Sequence, residues 1–398
     1  MIKQHILSVT GQVAAALPPV LVLIFLSRKV GLELAGLFTI VAGVSAAAFS
    51  TAHWGLRTSI LLDRFRTIDV RTYLFARLSG LTLAAVVVAV VSGFLHVDYR
   101  LIAGLILFKV SDGLLDLDFA VTQVRSETSD AIAAFAIWHA IKLLLLISAL
   151  AIAVYSGQGS IQTAFVLAGL VALMLVSHRT YRTVAVRQES RSTTRAVWQV
   201  FVNAAWFAIA AGLCAIVTSA PRFSLTWLYE GDVLGVIGVT LSVSTFFGMV
   251  FYTTWMRHLP KFGGPSSFRL AAMRFLAESF LIAAAIFVVS WILLPQIVGF
   301  VFAYSEPQQL LLTKQILVAS VVFFVGMNTC NLYKVTARPW MESVSYALAL
   351  AGPVMLAVVN PDMRETHLLL ATSGLVMVVC GLAALGAPVL VTSDRPEP

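Results

Sequence analysis

The sequence predicts an all-α polytopic membrane protein with twelve transmembrane helices in two pseudo-equivalent six-helix bundles. Three observations carry that expectation. Hydrophobic residues make up 59% of the 398 and charged residues only 12%, whereas a soluble domain carries about 25% charged residues to cover its surface. Apolar windows long enough for a hydrocarbon layer about 30 Å thick, which takes roughly 20 helical residues, recur along the chain. A short pattern of acid, glycine and arginine occurs twice, about half a chain apart. The composition alone excludes a soluble enzyme.

The windows fall at 6–26, 35–56, 74–95, 101–122, 131–154, 163–177, 198–218, 233–256, 273–294, 311–330, 343–359 and 368–390. A dozen crossings use roughly 240 residues, and the roughly 158 left over make short connections with no room for a sizeable extramembrane domain. Met1 to His5 lead directly into the first window, so this segment is expected to be a first spanning helix and not a cleaved signal. With the N-terminus inside, nineteen Lys and Arg lie on the inner side against five (Arg28, Lys29, Arg100, Arg222 and Arg364) on the outer. Cytoplasmic connections carry this excess of positive charge, so both termini are predicted to be cytoplasmic. The formal charge of +8 is thus an orientation signal and gives no reason to expect nucleic acid.

The longest basic connection lies between the sixth and seventh windows. It divides the chain into an N-terminal six-helix lobe over 1–177, a basic cytoplasmic linker over 178–197 and a C-terminal six-helix lobe over 198–398. The repeated pattern supports two equivalent lobes: Glu33-Leu-Ala-Gly36 followed by Arg57 recurs as Asp232-Val-Leu-Gly235 followed by Arg257, at offsets of 199 or 200. An acid suits the amide groups that open a helix, and glycine permits close helix approach in lipid. Duplicated bundles of this kind build transporters.

Charges inside the windows are the informative ones, since each Asp, Lys or Arg at a helix centre costs about 2.5–3.5 kcal/mol on insertion scales. The fourth window holds Lys109, Asp112, Asp116 and Asp118, and the fifth holds His139 and Lys142. The spacing i, i+3, i+7 puts Lys109, Asp112 and Asp116 on one helical face. In an antiparallel hairpin about the connection at 123–130, residues whose numbers total about 253 are level, which makes Asp112 and Lys142 partners and lowers the cost of burying both. The four charges Lys109, Asp112, Asp116 and Lys142 either neutralise one another and pin the hairpin, or face a water-filled cavity where cations hold an anion and a carboxylate exchanges a proton. Glu278, four residues after Arg274, is expected to form an interfacial ion pair, and Lys314 to snorkel outward. Arg28, Arg57 and Arg222 stand at helix ends, where guanidinium groups either anchor at the interface or bind phosphate oxygens bidentately. Pro18 and Pro19 lie inside the first window and are expected to bend it.

The sequence has no phosphate-binding loop of the G-x-x-x-x-G-K-[ST] type and no His-Glu-x-x-His helix. Cys214, Cys330 and Cys380 sit apart in apolar runs and read as packing residues. No metal, cofactor or catalytic residue is expected, and ATP hydrolysis by this chain is not.

The stretch from Gly31 to Arg57, GLELAGLFTIVAGVSAAAFSTAHWGLR, resembles the oligosaccharide flippases, the polysaccharide-export branch of the multidrug, oligosaccharidyl-lipid and polysaccharide exporter superfamily. So does Ala220 to Phe262, which opens APRFSLTWLYEGDVLGVIGV and closes WMRHLPKF, and so does the connection QVRSETSDAIAAF. The resemblance covers most of the chain. In that family a basic residue ends the seventh helix, a Gly-containing turn starts the eighth and a Pro follows it; Arg222, Gly235 and Pro260 look like those positions. The resemblance implies a V-shaped pair of bundles in the bacterial inner membrane that moves an undecaprenyl-diphosphate-linked sugar repeat to the outer leaflet by alternating access. The implied partners are that lipid-linked oligosaccharide, membrane lipids and a polysaccharide polymerase or glycosyltransferases.

On this reading Arg28, Arg57, Lys109, Lys142 and Arg222 bind phosphate or acidic sugar, while Asp112 and Asp116 couple to protons or sodium. Only Arg222 rests partly on the resemblance; the others follow from charge placement. Three alternatives share parts of this pattern. A cation-coupled drug exporter has the same fold, though the many cations argue against cationic drugs. A major-facilitator transporter also has two sets of six helices, but its signature wants glycine where Leu62-Asp63-Arg64-Phe65-Arg66 and the preceding Ser59 offer none. The third is a scaffold that transports nothing within a polysaccharide-assembly complex.

Overall fold

The computed structural model describes residues 2–53, 56, 60, 70–125, 128–156, 160–185, 194–228, 231–258, 262, 265–336, 340–359 and 366–386. Among them the elements are all helical. They are α1 (Ile2–Lys29), α2 (Leu32–Ala52), α3 (Val70–Gly93), α4 (Tyr99–Arg125), α5 (Thr128–Ser156), α6 (Ile161–Ala185), α7 (Thr194–Leu228), α8 (Gly231–His258), α9 (Pro265–Ile292), α10 (Leu294–Phe302), α11 (Pro307–Cys330), α12 (Trp340–Val359) and α13 (Thr366–Ala383), with 3-10 turns at Asn331–Val335 and Ala384–Gly386. All but the nine-residue α10 follow the twelve apolar windows in order. Helix suits these apolar windows, because a helix satisfies its backbone amides within the segment where no water is at hand.

Among the described residues, nine helices are long and apolar enough to cross a membrane: α1, α2, α3, α5, α6, α8, α9, α11 and α13. The protein is therefore a multi-pass membrane protein. α4 fails the same measure because it carries Lys109, Asp112, Asp116 and Asp118 together. In α7 the apolar stretch is only Ala208–Ala220. α1 runs helical through Pro18 and Pro19.

The chain divides into two compact units, Met1–Ser219 and Ala220–Pro398, and the break falls within α7. Of the basic stretch at 178–197, residues 178–185 are the last turns of α6 and 194–197 the first of α7, while 186–193 lie outside the described residues.

In the first unit α4 is the central helix. It packs against α2, α3, α5 and α6 and touches α1, and no residue from Leu101 to Val121 is exposed. By contrast α3 turns Phe75, Leu83, Val86 and Val90 outward, a surface that only lipid solvates without cost. The charges of α4 are thus shielded from hydrocarbon by neighbouring helices. In the second unit α11 takes the central place, against α8, α9, α10 and α13. Glycine permits its contact with α13, since a Cβ on Gly374 would stand 2.6 Å from the Phe323 backbone nitrogen.

The two units share local construction. Gly31 and Gly231 are the positive-φ glycines among the described residues, at 141° and 59°. Each is followed within two residues by an acid, Glu33 or Asp232, in the first turn of α2 or α8, where the helix dipole favours negative charge. The core clusters repeat as well. Leu56, Tyr73 and Ala76 pack in the first unit, and Trp255, Ala272 and Phe275, each 199 positions later, pack in the second.

Candidate functional site

The first unit gathers ionised side chains from α3, α4 and α5 around the face of α4 that carries Lys109, Asp112 and Asp116. Lys142 of α5 donates from Nζ to Oδ1 of Asp112 in a short ion pair. The same Nζ lies 3.4 Å from the Phe108 carbonyl oxygen and 5.6 Å from the centre of the Phe108 ring. Arg77 of α3 is fully buried and donates from Nη2 to Oδ2 of Asp116 at 2.7 Å. The cations are enclosed, at 2% and 0% exposure, but both carboxylates keep 21%. The cluster is accordingly open on its acidic side and packed on its basic side.

Two imidazoles flank the pairs. His139, one turn before Lys142 on α5, is buried with Nδ1 3.6 Å from Asp112 Oδ1, too far for a hydrogen bond. His53, at the end of α2, lies within electrostatic reach of Arg77, Asp116, Lys109 and Asp112. His139 Nδ1 and His53 Nε2 are both buried without a hydrogen-bond partner.

Lys109 completes the set. It is half-buried, and among the described residues no carboxylate lies within ion-pairing distance of it. Asp118 is engaged elsewhere, accepting from Arg179 Nε at 2.6 Å and Thr183 Oγ1 at 2.6 Å. Arg179 in turn lies over the Trp138 ring, 5.2 Å from its centre. Around Asp112 and Asp116, then, three cations (Arg77, Lys109 and Lys142) face two carboxylates among the described residues. The excess of positive charge lies at Lys109, on the face of α4 that the two half-open carboxylates share. Such an arrangement suits an anion with several oxygens.

The structure thus brings together Lys109, Asp112, Asp116 and Lys142. Arg28 ends α1 on the surface, and Arg57 lies outside the described residues. Arg222 is not at a helix end, as the sequence suggested, but almost two turns inside α7, where it is 7% exposed and donates from Nη2 to the Leu241 carbonyl at 3.0 Å. The seventh apolar window ends at 218, but the backbone stays helical to Leu228.

Arg77 was the residue missed. Its place beside the window edge makes it look like one more inner-loop cation. The signal that finds it is helical depth: α3 and α4 are joined through 94–98, so residues whose numbers total about 192 are level, and Arg77 falls opposite Asp116.

The second unit holds a different network. His258 Nε2 pairs with Glu278 at 2.8 Å. Ser279, Asn328, Asn331, Lys334, Glu342 and Tyr346 form a hydrogen-bonded chain beside it. Lys314 does not simply reach outward, since its Nζ sits 3.5 Å above the Trp291 ring centre. Among the described residues, no group of three or more His, Cys, Asp or Glu could hold a metal ion.

No family model matches the chain, and neither does any curated protein. Solved structures do. A Vibrio cholerae MATE transporter, VcmN in the bent form, superposes with a TM-score of 0.57 over 96% of this chain and 94% of its own, at 14% identity. A multidrug-resistance MATE transporter of the MOP superfamily in the outward-facing conformation gives 0.58 over 96% and 93%, at 13% identity. The lipid II flippase MurJ in its inward closed conformation gives 0.60 over 96% and 87%, at 10% identity. The chain therefore shares the fold of these solved structures. These neighbours are transporters and flippases, not enzymes.

Proposed function

We propose that the protein is a transporter that carries an undecaprenyl-diphosphate-linked oligosaccharide from the cytoplasmic to the outer leaflet of a bacterial inner membrane, for export of a surface polysaccharide. The observation that carries this reading is the positive excess in the first unit, where Lys109 extends a polar face already occupied by two neutralised carboxylates. A diphosphate cannot enter hydrocarbon unaided, and a fixed cation on a shielded helix offers it a seat, with the lipid tail left in the bilayer. Twelve crossings, cytoplasmic termini and two six-helix bundles alternating in access complete the proposal. Lys109 and Lys142 are the phosphate-facing groups in it, Asp112 and Asp116 the coupling carboxylates. A polymerase or glycosyltransferase would act on either side of the step.

The experiment is reconstitution. Purified protein in vesicles should move a fluorescent undecaprenyl-diphosphate sugar between leaflets, and Lys109→Glu should abolish that movement in a protein that still inserts. The second reading, export of a small cation in the manner of a MATE transporter, draws on the 21% exposure of Asp112 and Asp116. Vesicles that accumulate a cationic dye in exchange for protons but leave the lipid-linked sugar in place would select it.

A further inference from the structure

Asp112 is claimed from two directions. Lys142 Nζ holds Oδ1, and His139 Nδ1, on the same face of α5 one turn earlier, points at the same oxygen from 3.6 Å without bonding to it or to anything else. From that same position Lys142 Nζ also lies 3.4 Å from the Phe108 carbonyl oxygen and 5.6 Å from the Phe108 ring centre, contacts that can stay with it when Asp112 is shared. We propose that His139 is the proton-binding residue of the site, and that its protonation transfers Asp112 from Lys142 to His139 and so releases the Lys142 ammonium to an incoming anion. This rests on the anion-transport reading above and adds to it the group that carries the proton.

The physical chain is short. A neutral imidazole leaves Asp112 to Lys142, and the pair presents no net charge. When a proton from water at the open side of Asp112 reaches the ring, both nitrogens become donors, and the imidazolium needs a carboxylate because a buried charge without a partner is costly. Asp112 Oδ1 is the nearest acceptor. A single oxygen then shared by two cations binds each less firmly, so Lys142 can turn to the phosphate oxygens. Proton uptake and anion binding therefore occur together.

The charges around His139 are consistent with this role. From α4 it faces Asp112, with Asp116 and Lys109 further along the same helix, and on its own helix it faces Lys142. On α6, Arg179 lies over the ring of Trp138, the residue before His139, and is held by Asp118. From α1, which packs along α5, there is no titratable side chain between Thr10 and Ser27. Asp112 is thus the acid that answers His139. Asp112 and Asp116 are held by Lys142 and Arg77, whereas His139 Nδ1 has no hydrogen-bond partner, so the imidazole adds a proton-binding group to the carboxylates.

The test uses the full chain and inorganic pyrophosphate as probe. Calorimetric titration near neutral pH in two buffers of different ionisation enthalpy should show the wild type taking up close to one proton per pyrophosphate bound. His139→Gln should bind at least about tenfold more weakly, the loss of one charge-assisted contact, and take up none. Binding with no proton uptake in the wild type, or with undiminished uptake in His139→Gln, overturns the proposal.

Nitrogen NMR of histidine- and lysine-labelled protein gives a readout without any anion. His139 is assigned by its loss in His139→Gln, and on acidification its conversion to imidazolium should coincide with a shift of the Lys142 Nζ resonance. An imidazole that stays neutral across the whole folded range, or titrates without moving Lys142, overturns the exchange. Coincident titration in a protein that ignores pyrophosphate would support the exchange and reject the anion site.

Discussion

Asp112 and Lys142, thirty positions apart, form a short ion pair between the antiparallel helices α4 and α5 in the interior of the first unit. Removing one member leaves the other charge buried alone, which costs about 3–5 kcal/mol, whereas removing both costs little. Asp112→Asn and Lys142→Met should each lower the thermal midpoint of the detergent-purified protein, and the double variant should recover most of the loss. A cycle in which the two effects simply add would show that the pair contributes nothing to the hairpin.

Arg77 and Asp116 should behave differently on conservative exchange. The guanidinium is fully enclosed and its Nη2 reaches Asp116 across α3 and α4. An ammonium cannot reproduce that planar donor fork. Arg77→Lys should therefore destabilise nearly as much as Arg77→Met, about 3 kcal/mol or more, read as a lower midpoint in a denaturation series.

Lys109 separates stability from transport. With no ion pair to lose among the described residues, Lys109→Gln should change the unfolding free energy by about 0.5 kcal/mol or less. Transport of the lipid-linked sugar should nevertheless fall about tenfold, the effect of losing one charged contact to the headgroup. Unaltered transport would remove Lys109 from the path.

Glycine at the α11–α13 contact is a steric requirement. Gly374→Ala puts a methyl group 2.6 Å from the Phe323 nitrogen and 2.7 Å from its Cα, backbone atoms that cannot step aside. A cost of about 1–3 kcal/mol is expected from the overpacking, measurable as faster heat inactivation in detergent.

Orientation can be read at Arg182, which is exposed in the last turn of α6. With Cys214, Cys330 and Cys380 first replaced, Arg182→Cys should react with an impermeant maleimide only from the cytoplasmic side. Labelling from outside would reverse the proposed topology.

Much of this architecture was legible in the sequence because lipid demands one rule, an apolar helix for each crossing, and the rule leaves a periodic trace. The Asp112–Lys142 pair was legible for a related reason: a short connection fixes which residues of two neighbouring helices lie at equal depth. The same reasoning would have matched Arg77 to Asp116, but an apolar window cannot say whether a cation at its edge turns inward. Arg222 shows the opposite failure. Hydropathy ended the seventh crossing early, while backbone hydrogen bonding carried α7 on and drew the guanidinium into the packed interior. His139 and His53 were hardest to read, since an imidazole's role depends on whether its ring nitrogens find partners, and spacing along one chain does not report that.

The shared construction of the two units makes their chemical difference informative. Positions 199 apart build equivalent cores, yet α11, which follows α9 as α4 follows α3, carries a single charge, Lys314, and α12 only Glu342. The first unit thus gathers its ionised groups along α4 and α5, whereas the second unit holds its own in pairs between other elements, His258 with Glu278 and Lys334 with Glu342. Grafting the α4 and α5 charges into the later copy should therefore damage assembly without doubling the activity.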